Sequence, residues 1–139
     1  MTDVFVLESE NFRLSLDFQI FEEDIPHPVN TTLSIHVSSA GFSASTTMDI
    51  DIKDIPIFCK NLKNIYASLT GTAKIQEPFG KQHILFAGDK LGHIAISGHL
   101  HSNGICGFWQ ELKFENAIDQ TFLPPFLEYL TNISQMFIE

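Results

Sequence analysis

An α+β domain is predicted: a strongly twisted, mostly antiparallel sheet of about seven or eight strands with two helices packed on its apolar face. Period-two alternation gives the strands, most plainly where Phe12, Leu14, Leu16, Phe18 and Ile20 interleave with Arg13, Ser15, Asp17 and Gln19. Helical spacing gives the two helices, one through Ile55, Phe58, Cys59, Leu62, Ile65, Tyr66 and Leu69, the other through Leu123, Phe126, Leu127, Leu130, Ile133 and Phe137. Each helical stretch follows strand-like sequence, and the two resemble each other: Ile50-Asp51, Pro56, Phe58 and Leu62 correspond to Ile118-Asp119, Pro124, Phe126 and Leu130.

In chain order, residues 4–7 form a short apolar first or edge strand, followed by the alternating strand from Phe12 to Ile20. Glu22-Glu23-Asp24-Ile25-Pro26-His27-Pro28 breaks it, because two prolines and three acids cannot continue a ladder. Leu33, Ile35 and Val37 alternate with polar neighbours, Ser39-Ala40-Gly41 turns the chain, and Phe42 to Ile52 returns as the second arm of a hairpin. Asp54 is placed to cap the first helix, Pro56 is tolerated in its first turn, and Gly71 is expected to end it. Two short strands, residues 72–76 and 82–87, flank a Glu77-Pro78-Phe79-Gly80 turn. Residues 93–101 alternate, Asn103-Gly104 supplies a hairpin signal, and residues 105–115 read as the last strand, with Phe108, Leu112 and Phe114 on its inner side. The hairpin at residues 33–42 echoes that at residues 96–105, so the chain divides into two strand-rich halves, each ending in a helix. Internal duplication or shared pattern demands would each produce that echo.

At 139 residues the chain suits one domain, 1–139, and a 44% hydrophobic content with 13 Phe calls for a packed core. No basic region precedes an apolar run at the N-terminus, and no apolar run nears the roughly 20 residues that span a bilayer. A cytoplasmic protein that does not enter the membrane is expected. Cys59 and Cys106 lie on apolar patterns without CxxC spacing, so both are expected as buried, reduced thiols.

Eight Lys and Arg against 17 Asp and Glu give a net charge of -9, which disfavours direct nucleic-acid binding. Residues 1–24 concentrate the imbalance, with Asp3, Glu8, Glu10, Asp17, Glu22, Glu23 and Asp24 against Arg13 alone. An acidic surface serves either solubility or a basic partner. If it serves a partner, the contact candidates are Glu22, Glu23 and Asp24 on the proline-bounded loop, and Asp49 and Asp51 on the wet side of a strand.

His93, His99 and His101 share strand parity, and histidines two apart can grip one metal ion. No Cys, Asp or Glu accompanies them on that strand, so solvent-facing imidazoles are expected rather than a metal site. Gly-x-Ser-x-Gly is absent, Gly88 and Gly92 do not form a phosphate-cradling loop, and the Asp49/Asp51 pair reads as a solvated face. A non-enzyme without cofactor or metal is therefore expected.

Gly92-His93-Ile94-Ala95-Ile96, Trp109, Phe114 and the run Asp119-Gln120-Thr121-Phe122-Leu123-Pro124-Pro125-Phe126-Leu127 resemble the bacterial WapI-type immunity proteins. The likeness lies in the second half of the chain. It implies a protein that binds and neutralises the nuclease domain of a polymorphic toxin, with the acids facing a basic partner. A small-molecule- or metal-binding protein with the three histidines at a pocket rim is the alternative from another class, and a plain structural domain is the third.

Overall fold

A computed structural model describes residues 4–137, with the side chain of Phe137 left out. Asp3 and that side chain thus lie outside the described residues. The strands are β1 (Phe5–Ser9), β2 (Phe12–Ile20), β3 (Thr31–Ser39), β4 (Phe42–Ile50), β5 (Thr72–Gln76), β6 (His83–Gly88), β7 (His93–Ser102) and β8 (Gln110–Asp119). Helix α1 (Ile55–Ser68) follows β4 and helix α2 (Leu123–Phe137) follows β8. The eight strands and two helices make an α+β fold, and the strands divide into two antiparallel four-stranded sheets, β1-β2-β3-β4 and β5-β6-β7-β8.

Apart from a 3₁₀ turn at Glu22–Asp24 after β2, the halves match element by element. In each, a 3₁₀ turn joins the last strand to the helix, Ile52–Asp54 in the first and Gln120–Phe122 in the second. The repeated Ile-Asp explains itself here. Ile50 and Ile118 are the last inward residues of their strands, and the aspartate after each accepts a backbone N–H of the turn, Asp51 from Lys53 and Asp119 from Thr121. Capping has therefore moved one turn upstream of its expected place: Asp54 already has helical backbone angles and makes no side-chain cap bond. The end of α1 also differs from expectation. Leu69, at φ 62, closes the helix by donating its N–H to Ile65 O, and Gly71 lies beyond.

Contacts between the halves come in exchanged pairs. Helix α1 packs on β5 and α2 on β1, while β4 meets β7 and β8 meets β3. Each helix thus covers the sheet of the other half. Phe58 of α1 packs edge-on against Phe86 of β6, and Phe126 of α2 stacks on Phe5 of β1 at 5.0 Å. Phe126 also meets Phe58 and Phe86, so one continuous core joins both sheets and both helices. Each large side chain fully buried there contributes about 1.5–3 kcal/mol.

Polar ties close the seam between the sheets. Buried Gln82 donates from Nε2 to Thr47 O at 2.8 Å and accepts from His101 N at 3.0 Å, and Thr46 Oγ1 donates to His101 O at 2.9 Å. On the other side, Asn116 Nδ2 donates to Ser39 Oγ at 2.9 Å. Gly98 lets the halves close: a Cβ there would lie 2.5 Å from the ring of Phe114, which itself packs against Phe12.

The last strand departs from the sequence reading. Residues 105–109 are not strand but part of an exposed loop, because Gly104 and Gly107 adopt positive φ (62 and 79) and turn the chain before β8 begins at Gln110. Phe108 is consequently outside the core, and Cys106 is exposed, correcting the expectation of two buried thiols; Cys59 is buried. The β3–β4 connection is a tight turn at Ala40 and Gly41, so the long loop is specific to the second half.

Candidate functional site

Glu22–Asp24 forms a single 3₁₀ turn after β2, and all three acids are exposed. The turn is fixed at its base by Phe21 N donating to Asn30 O at 2.9 Å and Asn30 N donating to Ile50 O at 3.0 Å. Asn30 organises this end of the sheet. Buried at 1% exposure, it donates from Nδ2 to Ile25 O, His27 O and Asp51 Oδ1, and accepts at Oδ1 from Ile52 N and Thr31 Oγ1. Val29 just before it adopts φ 65, a strained conformation for a β-branched residue that costs on the order of 1–3 kcal/mol and persists only because the surroundings impose it.

These bonds bring the two acidic clusters to one end of the first sheet. Lys53 Nζ donates to Ile25 O at 3.1 Å and pairs with Asp51 at 3.7 Å, so the loop after the acidic turn is tied to the end of β4. Asp49 is exposed on β4 and accepts from Thr32 Oγ1 at 3.2 Å. Asp51 lies beyond the strand, and its Oδ1 is occupied by Asn30 and Lys53 N. Burial pushes the Asp54 carboxyl up from its ordinary value, and the like charge of Asp51 adds to that, against the lowering effect of Lys53. Among the described residues Glu22, Glu23, Asp24 and Asp49 have no ion-pair partner.

The histidines occupy the outer face of the second sheet. His93, His99 and His101 share one side of β7, as their spacing requires, but their partners separate them. His93 Nδ1 lies 3.3 Å from Asp89, His99 Nε2 lies 2.8 Å from Glu111, and His101 Nε2 lies 3.8 Å from Glu77. Leu91 and His93 N–H groups, with the His93 ring, hold Asp89 below its ordinary range; the hydrogen bond from His99 does the same for Glu111, helped by one from Trp109. No group of three or more His, Cys, Asp or Glu among the described residues is placed to hold a metal ion. No helix among them is long and apolar enough to cross a membrane.

Comparison with protein families decides what these surfaces belong to, since the immunity protein WapI-like family matches residues 7–137, nearly the whole chain and both of its halves. The chain belongs to the immunity protein WapI-like family. Comparison with curated proteins gave no match. The residue likeness lay only in the second half, whereas the family match extends through the acidic turn and β4. For an immunity protein of this family the relevant surface is one that meets a toxin, and the described structure offers an acidic end on the first sheet and an aromatic edge on the second. Sequence reasoning reached the acids but missed Asn30, Gln82 and Trp109. Asn30 reads as an ordinary turn residue, Gln82 as a polar strand end, and Trp109 as one face of a strand that does not extend that far.

Proposed function

We propose that this WapI-like immunity protein is a single, non-catalytic domain that neutralises a nuclease toxin in the cytoplasm by binding it through its acidic end. The observation that carries the reading is the gathering of Glu22, Glu23, Asp24 and Asp49 at one end of a sheet, exposed and without ion-pair partners among the described residues, in a chain of net charge -9. A nuclease must bind phosphate and so presents basic surface, which such an end complements. Asp51 borders this end with both oxygens engaged, Oδ1 by Asn30 and the Lys53 N–H and Oδ2 by Lys53 Nζ at 3.7 Å, so it joins the contact only where a cation of the toxin displaces Lys53.

The test is a salt series of association rates with a nuclease toxin domain, sought first in the gene next to this one. Replacing Glu22→Gln, Glu23→Gln and Asp24→Asn together, or Asp49→Asn alone, should slow association at low salt while leaving stability within about 0.5 kcal/mol. Screening over a Debye length of about 8 Å at physiological salt should shrink the difference. Rates indifferent to both salt and substitution would show that the acids act only as a solubility device.

A further inference from the structure

We propose that Trp109, His101 and Glu111 form a binding site for an arginine side chain presented by a basic protein. The inference rests on the immunity reading only for the identity of the protein that carries the arginine. Trp109 closes the long β7–β8 loop and is 53% exposed, beside Phe108 at 73%. An indole left in solvent is normally free to move, but this ring stacks on that of His101, centroids 4.4 Å apart and 22° from parallel, and Glu111 is the cross-strand neighbour of His101. Glu111 is itself held by His99 Nε2 at 2.8 Å, and the His101 backbone by Gln82 and Thr46.

One face of the indole is therefore covered by imidazole, and the exposure belongs to the rest of the ring. An indole face carries negative potential and attracts a cation. Glu111 beside it and Glu77 behind His101 add full negative charges. A planar guanidinium fits this arrangement better than an ammonium, because it stacks on the ring while its N–H fork reaches a carboxylate. The chain does not supply that group itself: its single arginine, Arg13, pairs with Glu8 on the other sheet, and Lys113 forms no ion pair with Glu111 among the described residues. Beside His101 and Glu111 a cleft of about 420 Å³ opens between the sheets, lined by Phe42, Leu100 and Leu112 together with Thr46, Ser102 and Gln110, with room for the stem of a partner's side chain. Aromatic anchors paired with arginine are the residue types that dominate binding energy at protein interfaces.

Trp109 is the only tryptophan, so its emission reports the site directly. Titration with an acetylated, amidated hexa-arginine peptide should give a saturable change in that emission, and the isosteric, uncharged hexa-citrulline peptide should not. Glu111→Gln should weaken the peptide by about fivefold or more, whereas Glu128→Gln, which changes net charge equally from exposed α2, should leave it unchanged. Emission unmoved by hexa-arginine, an equal response to citrulline, or equal effects of the two glutamate changes would each overturn the site. Calorimetric titration of Trp109→Phe and Trp109→Ala provides a second readout, with the alanine variant expected to bind more weakly. A neighbouring toxin that fails to bind the unaltered protein would sink the immunity reading while leaving the arginine titration to stand or fall separately.

Discussion

Phe126 lies where the rings of Phe5, Phe58 and Phe86 converge, so its removal empties the point at which both halves meet. Phe126→Ala should cost about 3–5 kcal/mol and Leu130→Ala about 2–5 kcal/mol, read as lowered midpoints in chemical denaturation. Midpoints close to the unaltered protein's would remove α2 from the core. Titratable residues give a second expectation. Asp89 and Asp119 are held below their ordinary value of 3.8, the first mainly by the Leu91 N–H and the second mainly by the Thr121 hydroxyl. For a carboxyl lowered in the folded state, the contribution to stability is complete above the unfolded value and disappears as pH falls through the lower, folded one. Asp54 is raised and acts in the opposite sense, penalising the fold above its raised value and relieving it on acidification. Thermal midpoints of Asp119→Asn should therefore fall less steeply than those of the unaltered protein as pH drops below about 4. Parallel curves would show that the Asp119 cap does not depend on charge.

At the scale of elements, the acidic turn depends on Asn30, whose amide satisfies two loop carbonyls and Asp51. Asn30→Ala should destabilise by about 1–3 kcal/mol, since it strands buried partners, and Asn30→Asp should be worse because a carboxylate would face Ile25 O, His27 O and Asp51. Proteolysis at residues 22–29 should rise in both variants, and resistance equal to that of the unaltered protein would mean that the loop holds itself. Most of this scale was legible in the sequence. Strict alternation located β2, β3, β4 and β7, and apolar spacing located both helices, because those patterns record which side of an element is buried. Alternation does not record which strand lies alongside, and so the division into two sheets was not readable. Ile105 and Phe108 misled for a related reason. Their apolar character imitates a strand, while the glycines at 104 and 107 set a loop whose side chains point outward. At the candidate site the acids were readable as charge, but the bonds that gather them pass through Asn30 and Lys53, residue types equally common in any turn.

On the scale of the whole molecule, each half depends on the other's helix to cover its sheet. The helix that would shield β1 and β2 comes from the far end of the chain, and the one that shields β5 and β6 from the middle. Unfolding should accordingly be one cooperative event. The same exchange brings Phe5 of the first strand within 5.0 Å of Phe126 and 4.9 Å of Tyr129 on the last helix. The order in which the halves are strung together is then a matter of covalent convenience, and the chain should tolerate being cut and rejoined elsewhere. A circular permutant that opens between exposed Thr70 and Gly71 and joins residue 137 to residue 4 through about eight Gly/Ser residues, a reach of roughly 15 Å, should fold with an unchanged circular dichroism spectrum. It would turn a protein written as first half then second into one written as second half then first, with the same interlocked object at the end.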